Sequence, residues 1–195
     1  MKIYLVRHGE TTADVEDRYG GDYDDHLTEK GTKQAKDLAK VLSGKGIELI
    51  YHSPKIRAVE TAQIVAAELK VPLFVMENFR ERNNFGVLTG LTKAEGLEKF
   101  PSEVKKLEVD PKNHGVTASE GYNWFKQRVM RAFNAVINEE HKSVAIITHS
   151  GPIRVIMREL LKKEFATIGD CAVIELEETN GAIEIKSLDN AQLVN

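Results

Sequence analysis

The chain has 195 residues, of which 42% are hydrophobic and 29% charged, and its formal net charge at pH 7 is −3. This length and composition are typical of one globular domain, and we expect a single domain over residues 1–195. The lack of basic runs argues against nucleic-acid binding, no apolar run is long enough to cross a bilayer, and the single cysteine excludes an internal disulfide or a cysteine-rich zinc site. We therefore expect a cytoplasmic protein that binds neither membranes nor nucleic acids.

Short apolar runs alternate with amphipathic helices in the first half of the chain. Apolar residues recur with a helical period over 32–43, which predicts a first helix. Ser53 is a suitable N-cap and Pro54 a suitable first residue for a second helix that runs to about Leu69. The strands predicted in this half are residues 3–6, 48–51 and 72–76.

The second half begins with a less regular stretch, residues 78–118, whose charge-rich part at 95–108 is predicted to be helical. Such a long excursion is typical of a substrate-facing insertion, and a solvated surface helix is the alternative. Asn180-Gly181 predicts a hairpin between the last two strands. The other elements predicted in this half are helices at 119–141 and 152–163 and strands at 144–147, 171–176 and 182–188.

The alternation of strands and helices predicts a three-layer α/β/α fold, with a mostly parallel central sheet and an antiparallel edge. The continuous apolar run at 144–147 is typical of a parallel strand covered on both faces. The hairpin near the end of the chain supplies the antiparallel edge.

Polar, reactive residues follow three of the predicted strands directly. Arg7 and His8 follow the first strand, Arg57 lies just after the second, and His149 follows the strand at 144–147. Because parallel strands end at the same edge of a sheet, we expect these four side chains to converge. Two helices are predicted to begin at this edge, and helix N-termini favour anions. The sequence therefore predicts a phosphate pocket.

Four sequence motifs make the resemblance to a known family specific. They are Arg7-His8-Gly9-Glu10-Thr11; residues 25–35, which are similar to D-x-x-L-T-x-x-G-x-x-Q-A; Ser53-Pro54-Lys55-Ile56-Arg57-Ala58 with Thr61-Ala62; and Thr148-His149-Ser150-Gly151. In this order they resemble the histidine phosphatase superfamily, the phosphoglycerate-mutase-like group, from near the start of the chain to about residue 154.

The resemblance implies that His8 is the nucleophile and is transiently phosphorylated, which splits one displacement into two. A neutral imidazole, with an unperturbed pKa of about 6.5, is abundant at pH 7 and needs no activating base. Arg7 and Arg57 would clamp the phosphoryl oxygens, and His149, if protonated, would add a donor and a charge. No metal and no cofactor are expected, because these cations provide the positive charge. The expected phosphate-binding residues are Arg7, Arg57, His149, Ser150 and Gly151.

The family pattern also includes an acid that protonates the leaving oxygen and later deprotonates water. Glu81 is the expected acid/base, and Gly86 follows it five positions on, one more than the usual spacing. A surface carboxylate paired with Arg80 or Arg82 is the alternative. Asp14 stands where the family often has a phosphate-contacting Asn, and we rank it low as a ligand.

The sequence thus predicts a metal-independent phosphomonoester hydrolase that acts through a phosphohistidine on a small phosphorylated metabolite. The alternatives are a cofactor-dependent phosphoglycerate mutase, which tends to be longer, and a phospho-ligand binding protein without catalytic activity. Substrate specificity is expected to lie in residues 78–118. The identity of the substrate and the oligomeric state, a homodimer included, stay open.

Overall fold

The computed structural model describes residues 1–109 and 115–194, and a six-stranded sheet forms its centre. The strands are β1 Lys2–Arg7, β2 Leu49–His52, β3 Leu73–Val75, β4 Ser143–Thr148, β5 Phe165–Thr179 and β6 Ala182–Leu193. Their order across the sheet is β3-β2-β4-β1-β5-β6. Strands β1 to β4 are parallel to one another, whereas β5 is antiparallel to β1 and β6 is antiparallel to β5. The predicted parallel sheet with an antiparallel edge is confirmed.

Seven α-helices lie in the described part of the chain. They are α1 Thr12–Val15, α2 Glu29–Leu42, α3 Ile56–Leu69, α4 Lys93–Lys99, α5 Pro101–Val109, α6 Tyr122–Ile137 and α7 Ser150–Leu161. Within the described ranges, none of these helices combines the length and the apolar character that a membrane crossing requires.

The side chains of the central strands alternate between two helical layers, as the two-residue period of a strand requires. On one face, Ile3 and Leu5 of β1 belong to a buried cluster with residues of α6 and α7. On the other face, Tyr4 and Val6 of the same strand belong to a buried cluster with residues of α2 and α3. This alternation produces the three layers and confirms the predicted α/β/α architecture.

The start of α3 corrects one prediction. The helix begins at Ile56, with Lys55 as its N-cap residue and no side-chain capping bond. Ser53 is therefore not the N-cap, and Pro54 is not the first helical residue. The Ser53 hydroxyl instead accepts a hydrogen bond from the Lys55 N–H and contacts the ring of His149.

Strand β5 begins earlier than the apolar pattern predicts. It starts at Phe165, and a register shift between Ile168 and Val173 marks an irregularity in its pairing with β6. Gly169 and Asp170 interrupt the apolar alternation within this irregular part. Only the regular part of β5 therefore has the apolar pattern from which a strand is predicted.

Residues 78–118 contain two 3₁₀ turns, α4 and α5, and residues 110–114 lie outside the described part of the chain. The charge-rich stretch predicted as one helix over 95–108 forms two helices, since Phe100 adopts a non-helical conformation directly before Pro101. The 3₁₀ turns are Glu77–Phe79 and Gly86–Leu88.

The carboxyl ends of β1, β2 and β4 meet at one edge of the sheet. Arg7 is in register with Thr148 at the ends of β1 and β4, and His52 of β2 is in register with Ile147 of β4. The polar residues that follow these three strands therefore leave the sheet side by side.

Candidate active site

The turn after β1 is shaped by a close approach of two backbones. A Cβ atom on Gly9 would lie 2.7 Å from the carbonyl oxygen of Gly31, and a Cβ on Gly31 would lie 2.1 Å from the carbonyl oxygen of Glu10. Neither position has room for a side chain. The glycines of the first two motifs are therefore explained by packing between β1 and the start of α2.

The second and third motifs also fix the first turn by hydrogen bonds. The Glu10 N–H donates to Gln34 Oε1 at 2.8 Å, and the Thr28 hydroxyl donates to Glu10 Oε1 at 2.8 Å. The Gly9 N–H donates to the Thr61 hydroxyl at 3.3 Å. Residues that are distant in sequence thus hold the backbone that carries His8.

The neighbours of the His8 ring define its tautomer. The ring is buried, and Nδ1 lies 2.8 Å from the Gly9 carbonyl oxygen, which can only accept a hydrogen bond. Nε2 lies 3.1 Å from Arg57 Nε, whose hydrogen can only be donated. Nδ1 therefore carries the proton, and the lone pair of Nε2 faces Arg57. Burial, and then the charges of Arg57 and Arg7, hold the pKa of His8 well below its usual value, so the ring is neutral at pH 7.

His149 shares the same arginine N–H and has the opposite tautomer. Its Nδ1 lies 3.2 Å from Arg57 Nε and must accept, so Nε2 carries the proton and donates to the Ser53 hydroxyl at 2.7 Å. Burial, and then the charge of Arg57, lower the pKa of His149 well below its usual value. The two rings lie 5.0 Å apart between centroids. His149 is therefore neutral in this structure. It does not supply the additional positive charge that we expected of its protonated form.

Arg57 is anchored by residues 21–25 of the loop before α2. Its Nη1 donates to Asp25 Oδ1 and to the Tyr23 carbonyl oxygen, each at 2.6 Å, and its Nη2 donates to the Gly21 carbonyl oxygen at 2.7 Å. Asp25 is buried, so its carboxylate compensates the buried guanidinium. Sequence reasoning gave Asp25 no role, although it is the first residue of the second motif.

Arg7 is held by the irregular part of β5. Its Nη1 donates to the Ile168 carbonyl oxygen at 2.7 Å, and its Nη2 lies 3.1 Å from Asp170 Oδ1. About a fifth of the side chain is exposed, so the guanidinium lies at the rim of the histidine pair rather than beneath it. The register irregularity of β5 thus supplies both partners of Arg7.

Glu81 lies against the first turn of α7. Its Oε2 accepts a hydrogen bond from the Gly151 N–H at 3.0 Å, and a Cβ atom on Gly151 would lie only 2.0 Å from Oε1. Ser150 and Gly151 are the first two residues of α7, directly after His149. The structure therefore brings Glu81 to the edge that carries His149. Arg80, one of the two alternative partners, pairs instead with Glu77 and Glu120.

The extra residue between Glu81 and Gly86 is accommodated in a turn. The Asn83 side chain accepts a hydrogen bond from the Gly86 N–H at 2.9 Å, and Gly86 has a positive φ of 49°. A Cβ atom on Gly86 would lie 2.0 Å from the carbonyl oxygen of Thr117. The longer spacing thus changes the turn after Glu81 and leaves Glu81 beside α7.

A buried arginine that sequence reasoning missed supports the Glu81 backbone. Arg128 on α6 is 4% exposed and donates all five of its N–H groups. Three go to the carbonyl oxygens of Asn78, Arg80 and Glu81, and two go to the carboxylate of Glu120. Its only sequence signal is a charged residue within the apolar stripe of α6.

A cavity of about 840 Å³ opens beside Glu81 and Gly151. Its walls combine aromatic rings with arginines. The residues that line it include Arg82, Tyr122, Arg154, Arg158, Glu164 and Phe165. The lining does not include the histidine pair, but it reaches Ser150 and Gly151, which directly follow His149, so the cavity is a mixed apolar and cationic space next to that pair.

The chain is similar in sequence and fold to known phosphatases. The family model for the histidine phosphatase superfamily (branch 1) matches residues 3–191. Phosphoserine phosphatase 1 of Hydrogenobacter thermophilus is 29% identical over 94% of this chain and 90% of that protein. Adenosylcobalamin/alpha-ribazole phosphatase of Escherichia coli is 27% identical over 83% of this chain and 79% of that protein. The solved structure of Bacillus stearothermophilus YhfR is 26% identical, with a TM-score of 0.85 over 97% of this chain and 96% of that one.

Proposed function

Because the chain belongs to the histidine phosphatase superfamily, we propose that it is a metal-independent phosphomonoester hydrolase that forms its phosphohistidine on His8. The observation that carries this proposal is the state of the His8 ring. The Gly9 carbonyl oxygen fixes the proton on Nδ1, and burial keeps the ring neutral, so Nε2 carries no proton. Its lone pair attacks phosphorus once a phosphoryl group takes the place of the Arg57 N–H that it accepts in this structure.

In the first step, His8 Nε2 attacks phosphorus and the bond from phosphorus to the ester oxygen breaks. Arg7 and Arg57 stabilise the charge on the phosphoryl oxygens, together with His149 and the N-terminus of α7 at Ser150 and Gly151. A phosphoryl dianion beside His149 favours the protonated form of that ring, so its Nδ1, which accepts from Arg57 in this structure, becomes a donor as well when substrate binds. The reactive form is the one in which His8 stays neutral.

Glu81 handles the proton in both steps. In the first, it donates a proton to the departing ester oxygen, and the alcohol leaves. In the second, the carboxylate takes a proton from water as the water oxygen attacks phosphorus. The bond between phosphorus and His8 Nε2 then breaks, inorganic phosphate leaves, and the neutral imidazole is restored.

We propose a small phosphorylated metabolite as the substrate, acted on in the cytoplasm. The relatives support a small substrate, because one is a phosphoserine phosphatase and another an alpha-ribazole phosphatase. The single cysteine, Cys171, is in keeping with a reducing compartment. Aromatic and cationic walls near Glu81 provide the space for the leaving group.

The decisive experiment measures hydrolysis of p-nitrophenyl phosphate in the presence of EDTA. We expect the wild-type protein to be active and the His8→Ala variant to lose essentially all activity, because the nucleophile is absent. Quenching with labelled substrate should trap a phosphoenzyme that is stable in base and labile in acid, as a phosphorus–nitrogen bond is. The His141→Ala variant is the matched control, since this histidine precedes β4 at the opposite end of the sheet.

Two results would contradict the proposal. Activity retained by His8→Ala would exclude His8 as the nucleophile, and loss of wild-type activity in EDTA would exclude a metal-independent reaction. Interconversion of 2- and 3-phosphoglycerate that requires a bisphosphate primer and exceeds hydrolysis would favour the mutase instead. Binding of phosphate without any phosphoenzyme would favour a non-catalytic protein.

A further inference from the structure

Arg154 lies on the wall of the cavity, one turn after the start of α7. It follows Gly151 by three residues and Ser150 by four, so all three lie on the same face of the helix. One helical turn is about 5.4 Å, which places the base of the Arg154 side chain close to the contact between Gly151 and Glu81. A substituent only a few bonds away from the ester oxygen beside Glu81 is therefore close enough to contact Arg154.

The other wall arginines already have prominent partners. Arg158 is paired with both carboxylate oxygens of Glu164 and donates to the Tyr122 hydroxyl. Arg82 donates from Nε to the Glu120 carbonyl oxygen and lies over the face of the Tyr122 ring. These contacts fix the wall and leave little of the Arg158 charge uncompensated.

Unlike Arg158, Arg154 has no carboxylate at ion-pair distance among the described residues. Its one hydrogen bond there runs from Nη1 to the Phe165 carbonyl oxygen. That bond fixes one side of the guanidinium and leaves the edge formed by Nε and Nη2, where two parallel N–H groups match a planar carboxylate. A partly buried cation with neutral partners attracts an anion from the substrate.

We propose that Arg154 binds a carboxylate on the substrate, so that the enzyme prefers phosphorylated hydroxy acids or amino acids. This inference rests on the proposed hydrolase function and names its substrate class. Two carboxylates, Glu81 and Glu164, and two guanidinium groups, Arg158 and Arg7, act electrostatically on Arg154, so nearby charge does not select the anion. The preference for a carboxylate follows instead from the geometry of the Nε–Nη2 edge.

The test compares substrates that differ only in the carboxylate. O-phosphoserine is paired with O-phosphoethanolamine, and 3-phosphoglycerate is paired with glycerol 3-phosphate. We expect kcat/KM for the acid of at least one pair to exceed that of its partner by about 10- to 100-fold, the value of a charge-assisted hydrogen bond. In Arg154→Gln this ratio should fall towards one, mainly through KM, and Arg154→Lys should restore part of it.

Arg131→Gln is the matched control, because Arg131 is exposed on α6 and does not line the cavity. It should keep the wild-type ratio. Equal rates on both members of each pair, or an Arg154→Gln variant that loses both activities by the same factor, would overturn the inference. A value of kcat/KM that is higher for a bisphosphate than for either acid would also overturn it. Failure of the proposed function would give a different result from failure of this inference. In that case p-nitrophenyl phosphate, which has no carboxylate, would not be hydrolysed either.

Discussion

The proposed delivery of a proton to the leaving oxygen depends on a single carboxylate, Glu81. Its position is set on two sides, by the Gly151 N–H at the start of α7 and by the Arg82 N–H. We predict that Glu81→Gln lowers kcat for an alkyl phosphate by about 10²- to 10⁴-fold, because an alkoxide is a poor leaving group without a proton. The loss on p-nitrophenyl phosphate should be much smaller, since nitrophenolate leaves without help. Steady-state kinetics on both esters measure the difference.

Glu77→Gln is the control for this prediction. Glu77 is an exposed carboxylate four residues earlier in the same segment and pairs with Arg80. It should leave both activities near the wild-type values. An equal loss on the two esters in Glu81→Gln would show that Glu81 does not supply the proton.

The residues that converge at the sheet edge could be predicted because each follows a strand. His8 and His149 come directly after apolar runs, and parallel strands end together. The structure brings their rings and Arg57 into contact, while their catalytic roles stay predictions. Asp25 and Arg128 could not be assigned, because their partners are distant in sequence and leave no periodic pattern. Asp25 accepts from the Arg57 guanidinium, and Arg128 donates to three carbonyl oxygens.

Among the elements, α6 supports the segment that carries Glu81. Arg128 joins the helix to three carbonyl oxygens of residues 78–81 and to the carboxylate of Glu120. We predict that Arg128→Leu lowers the free energy of unfolding by about 3–5 kcal/mol, because it removes the closest cationic partner of the largely buried Glu120 carboxylate and the donor to three carbonyl oxygens. Urea denaturation at neutral pH measures the change.

The control for this element is Arg131→Leu, an exposed position one turn later on α6. Its effect should stay within about 0.5 kcal/mol, as for most surface substitutions. If Arg128→Leu were as mild as this control, the buried pair with Glu120 would not hold the segment. The double variant Arg128→Leu/Glu120→Leu should recover part of the lost stability, since it removes the unpaired charge.

Element boundaries were predictable only where local rules decide them. The amphipathic stripe of α2 and the hairpin at Asn180-Gly181 follow from spacing and turn chemistry. The start of α2 was predicted three residues too late, because the helix begins at Glu29 after the Thr28 cap. The start of α3 was not predicted correctly, because Ser53 contacts His149 instead of capping the helix. A tertiary contact at the site thus overrides a favourable local sequence, as expected where function and folding compete for one side chain.

At the scale of the whole molecule, the sheet concentrates positive charge at one edge and buries two neutral imidazoles among it. His8 and His149 share one N–H of Arg57, so protonation of either ring replaces an attraction by a repulsion. The net charge of the chain is −3, so this local concentration is built by the fold rather than by composition. The same arrangement that we propose to bind a phosphoryl dianion therefore makes the fold sensitive to acid.

This sensitivity predicts the pH dependence of stability. Burial and Arg57 hold the pKa of both histidines below the unfolded value, so below about pH 6.5 the unfolded chain binds more protons than the folded one. The stability they contribute is fully present above that pH and is lost as the pH falls, by up to about 1.4 kcal/mol per pH unit for each histidine. Urea unfolding between about pH 5.5 and 7.5 should show this slope, above the range in which carboxylates titrate. His8→Asn should reduce the slope, because one of the two titrating rings is then absent. Inorganic phosphate should also reduce it, because a bound dianion favours the protonated rings. A slope that neither change affects would contradict the assignment of two buried neutral histidines.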